Sequence, residues 1–133
     1  MFNLKISIAV GIGGFIGALL RFYVSEGVAR VSGEDYRFFG TMTVNLLGCF
    51  VIGVLTTVAA RSTHISPVIQ KCLITGLLGS LTTFSTFAVE SLALLQDGRF
   101  GAVAFKIGVS LIVGLLLVSA GAMTAGAFMA SEA

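Results

Sequence analysis

The chain has 133 residues, of which 56% are apolar and 11% are Asp, Glu, Lys or Arg. Soluble domains carry roughly 25% charged residues, so this composition cannot cover a water-soluble globule and excludes a soluble enzyme or a disordered tail. A net charge of +2 with scattered Lys and Arg also excludes a nucleic-acid binder, leaving an integral membrane protein.

Charge-free windows run over 6–20, 38–60, 72–89 and 107–131. A membrane-spanning helix needs about 20 mostly apolar residues. The windows therefore predict four transmembrane helices, near 6–24, 38–60, 72–95 and 103–130, in one domain covering 1–133. The first span includes Arg21, which must be shielded or snorkel. Lys5 followed by an apolar run imitates a signal peptide, but no small-x-small cleavage site precedes Arg21 and three more spans follow. The segment is expected to be a mature helix. Its Gly13 and Gly17 form a small-xxx-small pair suited to close helix packing. The connections are short: 25–37 with Gly33-Glu34-Asp35, 61–71 with Pro67, and 96–99 with Asp97-Gly98. No disulfide framework follows from Cys49 and Cys72, and a single His64 makes no metal cluster.

Loop charge barely chooses an orientation. Lys5, Arg61 and Lys71 fall on one side; Arg30, Arg37 and Arg99 fall on the other, with Arg21 and Lys106 near helix ends. A chain so balanced can insert both ways, which allows two opposite copies to pair as an antiparallel dimer; on loop charge alone a weak bias selecting one orientation is an equal alternative. Four helices also form a thin bundle, whose inward polar groups would meet lipid without a second copy.

Polar residues inside spans are costly and therefore informative. In the second helix, Asn45 puts an amide into an apolar run, able to donate to a partner helix or to an anion. The third helix reads Gly76-Leu-Leu-Gly79-Ser80-Leu-Thr82-Thr83-Phe84-Ser85-Thr86-Phe87, with Glu90 beyond. Five hydroxyl residues in seven, behind Gly76-x-x-Gly79, predict a helix broken near its middle. The hydroxyls re-satisfy freed backbone groups, and such breaks form ion sites in transporters. The competing expectation is a kinked but continuous helix whose Ser and Thr bond back to carbonyls. Phe84 and Phe87 share a helix face, and an aromatic ring has a positive edge. Neutral ring edges and rotatable O–H donors bind a small anion weakly, as conduction requires. In the fourth helix, Ser110 and Gly114 share a face.

Three motifs in chain order carry a resemblance. G-x-G-G-x-x-G-x-x-x-R in the first helix, G-T-x-x-x-N-x-x-G in the second and G-x-x-G-x-x-T-T-F-S-T-F-x-x-E in the third resemble the Fluc (CrcB) family of fluoride channels. The resemblance implies an all-α membrane protein of the bacterial plasma or inner membrane. It implies an antiparallel, dual-topology homodimer with two pores that export fluoride from the cell, and no enzymatic activity. By position, it implies fluoride-pore roles for Asn45, Phe84 and Phe87, with a hydroxyl track of Thr83, Ser85 and Thr86 and with Ser110 on the pore face. It further implies a structural sodium ion at the dimer centre, held by the backbone carbonyls of Gly79 and Ser80. Arg21 and Glu90 match charged positions near the vestibules. Two departures stand out: Ala88 replaces a common serine, and Lys106 stands four residues before Ser110, where a neutral polar side chain is expected. That lysine either draws anions into a vestibule or marks the helix end. A pair of paralogues working as a heterodimer fits the same pattern.

Two rivals come from other classes. A small multidrug exporter needs a membrane-embedded carboxylate in its first helix, where this chain has none, leaving Glu90 as sole candidate. A non-transporting assembly subunit predicts no polar track, and residues 80–86 count against it.

Overall fold

The computed structural model describes residues 3–62 and 65–131; His64 lies outside them. Every regular element among the described residues is helical. Helix α1 covers Leu4–Ser32, α2 covers Phe38–Arg61 and α6 covers Phe100–Ser131. Between α2 and α6 the chain passes through α3 (Pro67–Gln70), a π-helical segment (Lys71–Leu78), α4 (Gly79–Leu81) and α5 (Phe84–Gln96). These pieces form the third span, so four helical spans are long and apolar enough to cross a membrane.

Local chemistry sets the ends. The Asn3 side chain accepts the Lys5 N–H at 3.1 Å and starts α1. Ser66 caps α3, where Pro67 occupies the first turn. Helix α1 continues through Ser32, well past the expected end at residue 24, and stops at Gly33, whose φ of +85° favours glycine. At 29 residues it is about 43 Å long, longer than the roughly 30 Å hydrocarbon core. Nothing in membrane physics stops a helix at the lipid boundary, and Glu26 and Arg30 ride on the extension. The connection to α2 shrinks to one 3-10 turn, Glu34–Tyr36. Arg37 pairs there with Glu26 at 2.9 Å and Glu34 at 3.1 Å. Arg99 donates to the Asp35 carbonyl at 2.6 Å, tying this turn to the α5–α6 turn.

The spans pack through glycine. A methyl on Gly13 would run into the Cys72 carbonyl, and one on Gly17 into the Leu77 carbonyl. The small-xxx-small pair of α1 thus receives the π segment of its own chain. Gly76 answers from the other side, against the Val10 carbonyl. Gly53 and Gly121 do the same between α2 and α6, against Val118 and Phe50. Backbone contact of this kind replaces a large apolar core; the buried apolar cluster of Phe38, Leu94 and Val103 is small, with Val44 and Leu78 buried elsewhere. Large side chains such as Phe15, Leu115 and Phe128 instead point outward.

Candidate functional site

The third span is broken, but later than Gly76-x-x-Gly79 suggests. Residues 76–81 remain helical. Thr82 (φ −82°, ψ 151°) and Thr83 (φ −148°, ψ 116°) are extended, and α5 begins at Phe84. Gly76 is spent on packing against α1 and Gly79 faces the cavity beside the break, while an amide from α2 fixes the break. Asn45 Oδ1 accepts the Thr83 N–H at 2.8 Å, and Asn45 Nδ2 donates to the Thr83 carbonyl at 3.2 Å. One side chain therefore satisfies both backbone groups of Thr83. On the upstream side, Thr82 Oγ1 returns its proton to the Leu78 carbonyl at 3.0 Å, so back-bonding covers one carbonyl without closing the break.

Thr83 caps the second half-helix. Its Oγ1 accepts the Thr86 N–H at 3.3 Å and lies 3.0 Å from Thr86 Oγ1 and 3.3 Å from Ser85 Oγ. With Thr83 only 7% exposed, these hydroxyls form a short chain at the positive end of α5.

A cavity of about 380 Å³ opens beside the break. Asn45, Thr83, Phe84, Phe87 and Ser110 line it, together with Thr82, Cys49, Gly79 and apolar neighbours. Among the described residues no charged side chain lines it. The Phe84 and Phe87 rings stack with centroids 5.8 Å apart. Ser110 Oγ is buried without a hydrogen-bond partner among the described residues, and Asn45 keeps a second N–H beyond its clamp. These are unspent neutral donors. Phe84 is 80% exposed and Ser85 is also exposed, so the site is open on one side of the chain.

A second cavity of about 350 Å³ has the opposite character. Arg21, Glu26, Arg37 and Glu90 line it with Ser25, Thr41 and Thr86. The two cavities meet at the Thr83–Thr86 hydroxyl pair, one residue lining each. Arg21 and Glu90 share this cavity without pairing. Glu90 is held by Thr41 Oγ1 at 2.5 Å and by Lys106 Nζ at 2.9 Å. Lys106 is 0% exposed, so it neither lines a vestibule nor marks a helix end. Its aliphatic stem buries in the α5–α6 contact and its ammonium finds acceptors there.

A family model described as CrcB-like protein, Camphor Resistance (CrcB), matches residues 8–122, nearly the whole chain. The chain belongs to the CrcB family. Curated relatives agree in length as well as in sequence. A Methylobacillus flagellatus protein is 46% identical over 110 residues, covering 82% of this chain and 85% of its own. A Hydrogenovibrio crunogenus protein is 42% identical over 121 residues, covering 91% of each. One from Rhizobium johnstonii is 42% identical over 113 residues, covering 85% and 88%. All three are named fluoride-specific ion channel FluC.

This CrcB chain gathers Asn45, Thr83, Phe84, Phe87 and Ser110 around one cavity and puts Thr86, Arg21 and Glu90 at the other. Gly79 stands at the first, whereas Ser80 turns its hydroxyl toward Gly14 of α1. Ser85 stays at the open edge through its Thr83 contact. Sequence reasoning missed three participants. Thr41 lies one turn before Asn45 in the same motif, which was a usable signal. Ser91 follows Glu90 and approaches Lys106 Nζ at 3.3 Å. Ser25, a buried hydroxyl without a partner among the described residues, carries no signal because the charge pattern places it in a loop.

Proposed function

We propose that this chain is a passive, fluoride-selective channel that lets fluoride leave the cell, working as an antiparallel pair of identical subunits with two pores. The observation that carries the reading is the uncharged cavity at the break, lined by Asn45, Thr83, Phe84, Phe87 and Ser110. Fluoride is small and strongly hydrated. A route for it must replace water with donors that hold it weakly enough to let go. Hydroxyls, an amide N–H and ring edges meet that demand without a charged side chain in the path. The names of the relatives support the same substrate.

The charged cavity serves as the vestibule. Arg21 makes no ion pair among the described residues, so its charge is available to attract anions from water. From there the path follows Thr86, Thr83 and Ser85 to the two phenylalanines. The exposed faces of Phe84 and Ser85 support a second copy: a hydroxyl and an open cavity in mid-span are poorly placed against lipid.

A sodium ion on the carbonyls of Gly79 and Ser80 belongs to the same proposal. In an unbroken helix the Thr83 N–H would bond the Gly79 carbonyl; here it goes to Asn45. That leaves a carbonyl at the negative end of a half-helix, a hard-oxygen donor fit for a small cation. When bound, the ion supplies positive charge that ties two subunits together and favours nearby anions. The exporter reading is disfavoured because Glu90, its required carboxylate, is already committed to Lys106 and Thr41. Fluoride efflux from liposomes containing only this purified chain tests the proposal. Release above protein-free vesicles is expected, and its absence would refute the reading.

A further inference from the structure

We propose that Lys106 is a charge-compensating positioning residue of the permeation route. It cancels the Glu90 carboxylate at the second cavity while holding Phe87 at the first. The inference rests on the fluoride-channel reading. An ammonium has three N–H donors, and all three are committed: to the Phe87 carbonyl at 2.9 Å, Glu90 Oε2 at 2.9 Å and Ser91 Oγ at 3.3 Å. With 0% exposure as well, Lys106 has no donor left for an anion and acts only through its neighbours.

It acts on both cavities. Toward the first, Nζ sits 4.7 Å from the centroid of the Phe87 ring, on the face side. A cation there draws π density toward itself and leaves the rest of the ring more positive. Toward the second, it faces Glu90, whose side chain is 24% exposed beside Thr86. The other charges around that cavity do not neutralise Glu90. Arg37 is bound to Glu26 and Glu34, Glu26 is itself acidic, and Arg21 makes no ion pair with Glu90. Without Lys106 a full negative charge would border the anion path. At about 10 Å and an effective dielectric near 20, one such charge lowers anion occupancy roughly tenfold.

The test is fluoride efflux from liposomes, per reconstituted protein, for the wild type, Lys106→Met and the Lys106→Met/Glu90→Gln pair. Each is measured in about 10 mM and about 1 M impermeant salt, where the screening length falls from about 30 to about 3 Å. Lys106→Met should lose about tenfold in low salt and regain most of it in high salt. The pair should conduct several-fold better than Lys106→Met in low salt and show no salt dependence, because removing the carboxylate removes the need for the cation; the salt-independent deficit that is left reports the lost hold on Phe87. Wild-type flux from Lys106→Met in low salt overturns the inference, as does a deficit that neither salt nor Glu90→Gln relieves. If Lys106→Met does not fold, the pair decides alone: a conducting pair supports compensation, and an inactive or unfolded pair refutes it. A wild type with no flux above protein-free vesicles would instead refute the channel reading itself.

Discussion

The two cavities, about 380 and 350 Å³, are close in size and meet at one hydroxyl pair, yet they are built from opposite chemistry. One holds Asn45, Thr83, Phe84, Phe87 and Ser110 and no charge. The other holds Arg21, Glu26, Arg37 and Glu90. The difference follows from depth. The charged cavity lies beside the second half of α1, the start of α2 and the first turns of α5, toward the α1–α2 connection, where a charge reaches water more readily. The neutral one lies at mid-span, where an unpaired charge costs several kcal/mol. An anion route can attract at its mouth with charge, but it must pass the ion along its dry part with dipoles.

The largest expected effect comes from removing the clamp on the neutral side. Asn45→Ala leaves the Thr83 N–H and carbonyl without their partner and frees the break to shift. Displacing a site by about 1 Å costs roughly a hundredfold, so flux should fall by about that factor, read by a fluoride electrode, while the subunits stay paired in detergent. Loss of pairing together with flux would reassign Asn45 to structure. Phe84→Ala should come next, with flux down by at least about tenfold and the fold intact, since the ring is exposed in the single chain and contributes little to its core.

Thr83→Val keeps the shape and removes the hydroxyl that joins the two cavities. It should lower flux about tenfold and destabilise the fold by about 1 kcal/mol through the lost cap on α5, measurable as a lowered melting temperature. The smallest effect belongs to the charged side. Arg21→Gln should reduce flux about threefold in low salt and leave it nearly unchanged in high salt, because attraction at a wet mouth is screened. An Arg21→Gln loss as deep as that of Asn45→Ala would erase the distinction between the cavities.

Much of this architecture was legible in the sequence, and the rest was hidden for identifiable reasons. Charge-free windows mark the four spans because lipid tolerates few charges, and the hydroxyl run marks the broken span. The position of the break was not legible: Gly76 and Gly79 look like breakers, yet Gly76 serves packing against Val10 while Asn45, 38 residues upstream, pins Thr83. That is a tertiary contact without local signature. The end of α1 lies beyond its apolar window because hydropathy reports where lipid stops, and a helix stops at its cap, here Gly33. Lys106 stood out as an oddity in its pattern, but only packing shows that its three donors are all spent.

A planar bilayer holding this purified chain alone, with fluoride on one side and chloride on the other, tests the central claim that a neutral mid-membrane cavity carries fluoride. The account predicts a reversal potential close to that set by the fluoride gradient, so that chloride carries almost no current. A reversal potential near zero at equal concentrations, or no current with either ion, would contradict it.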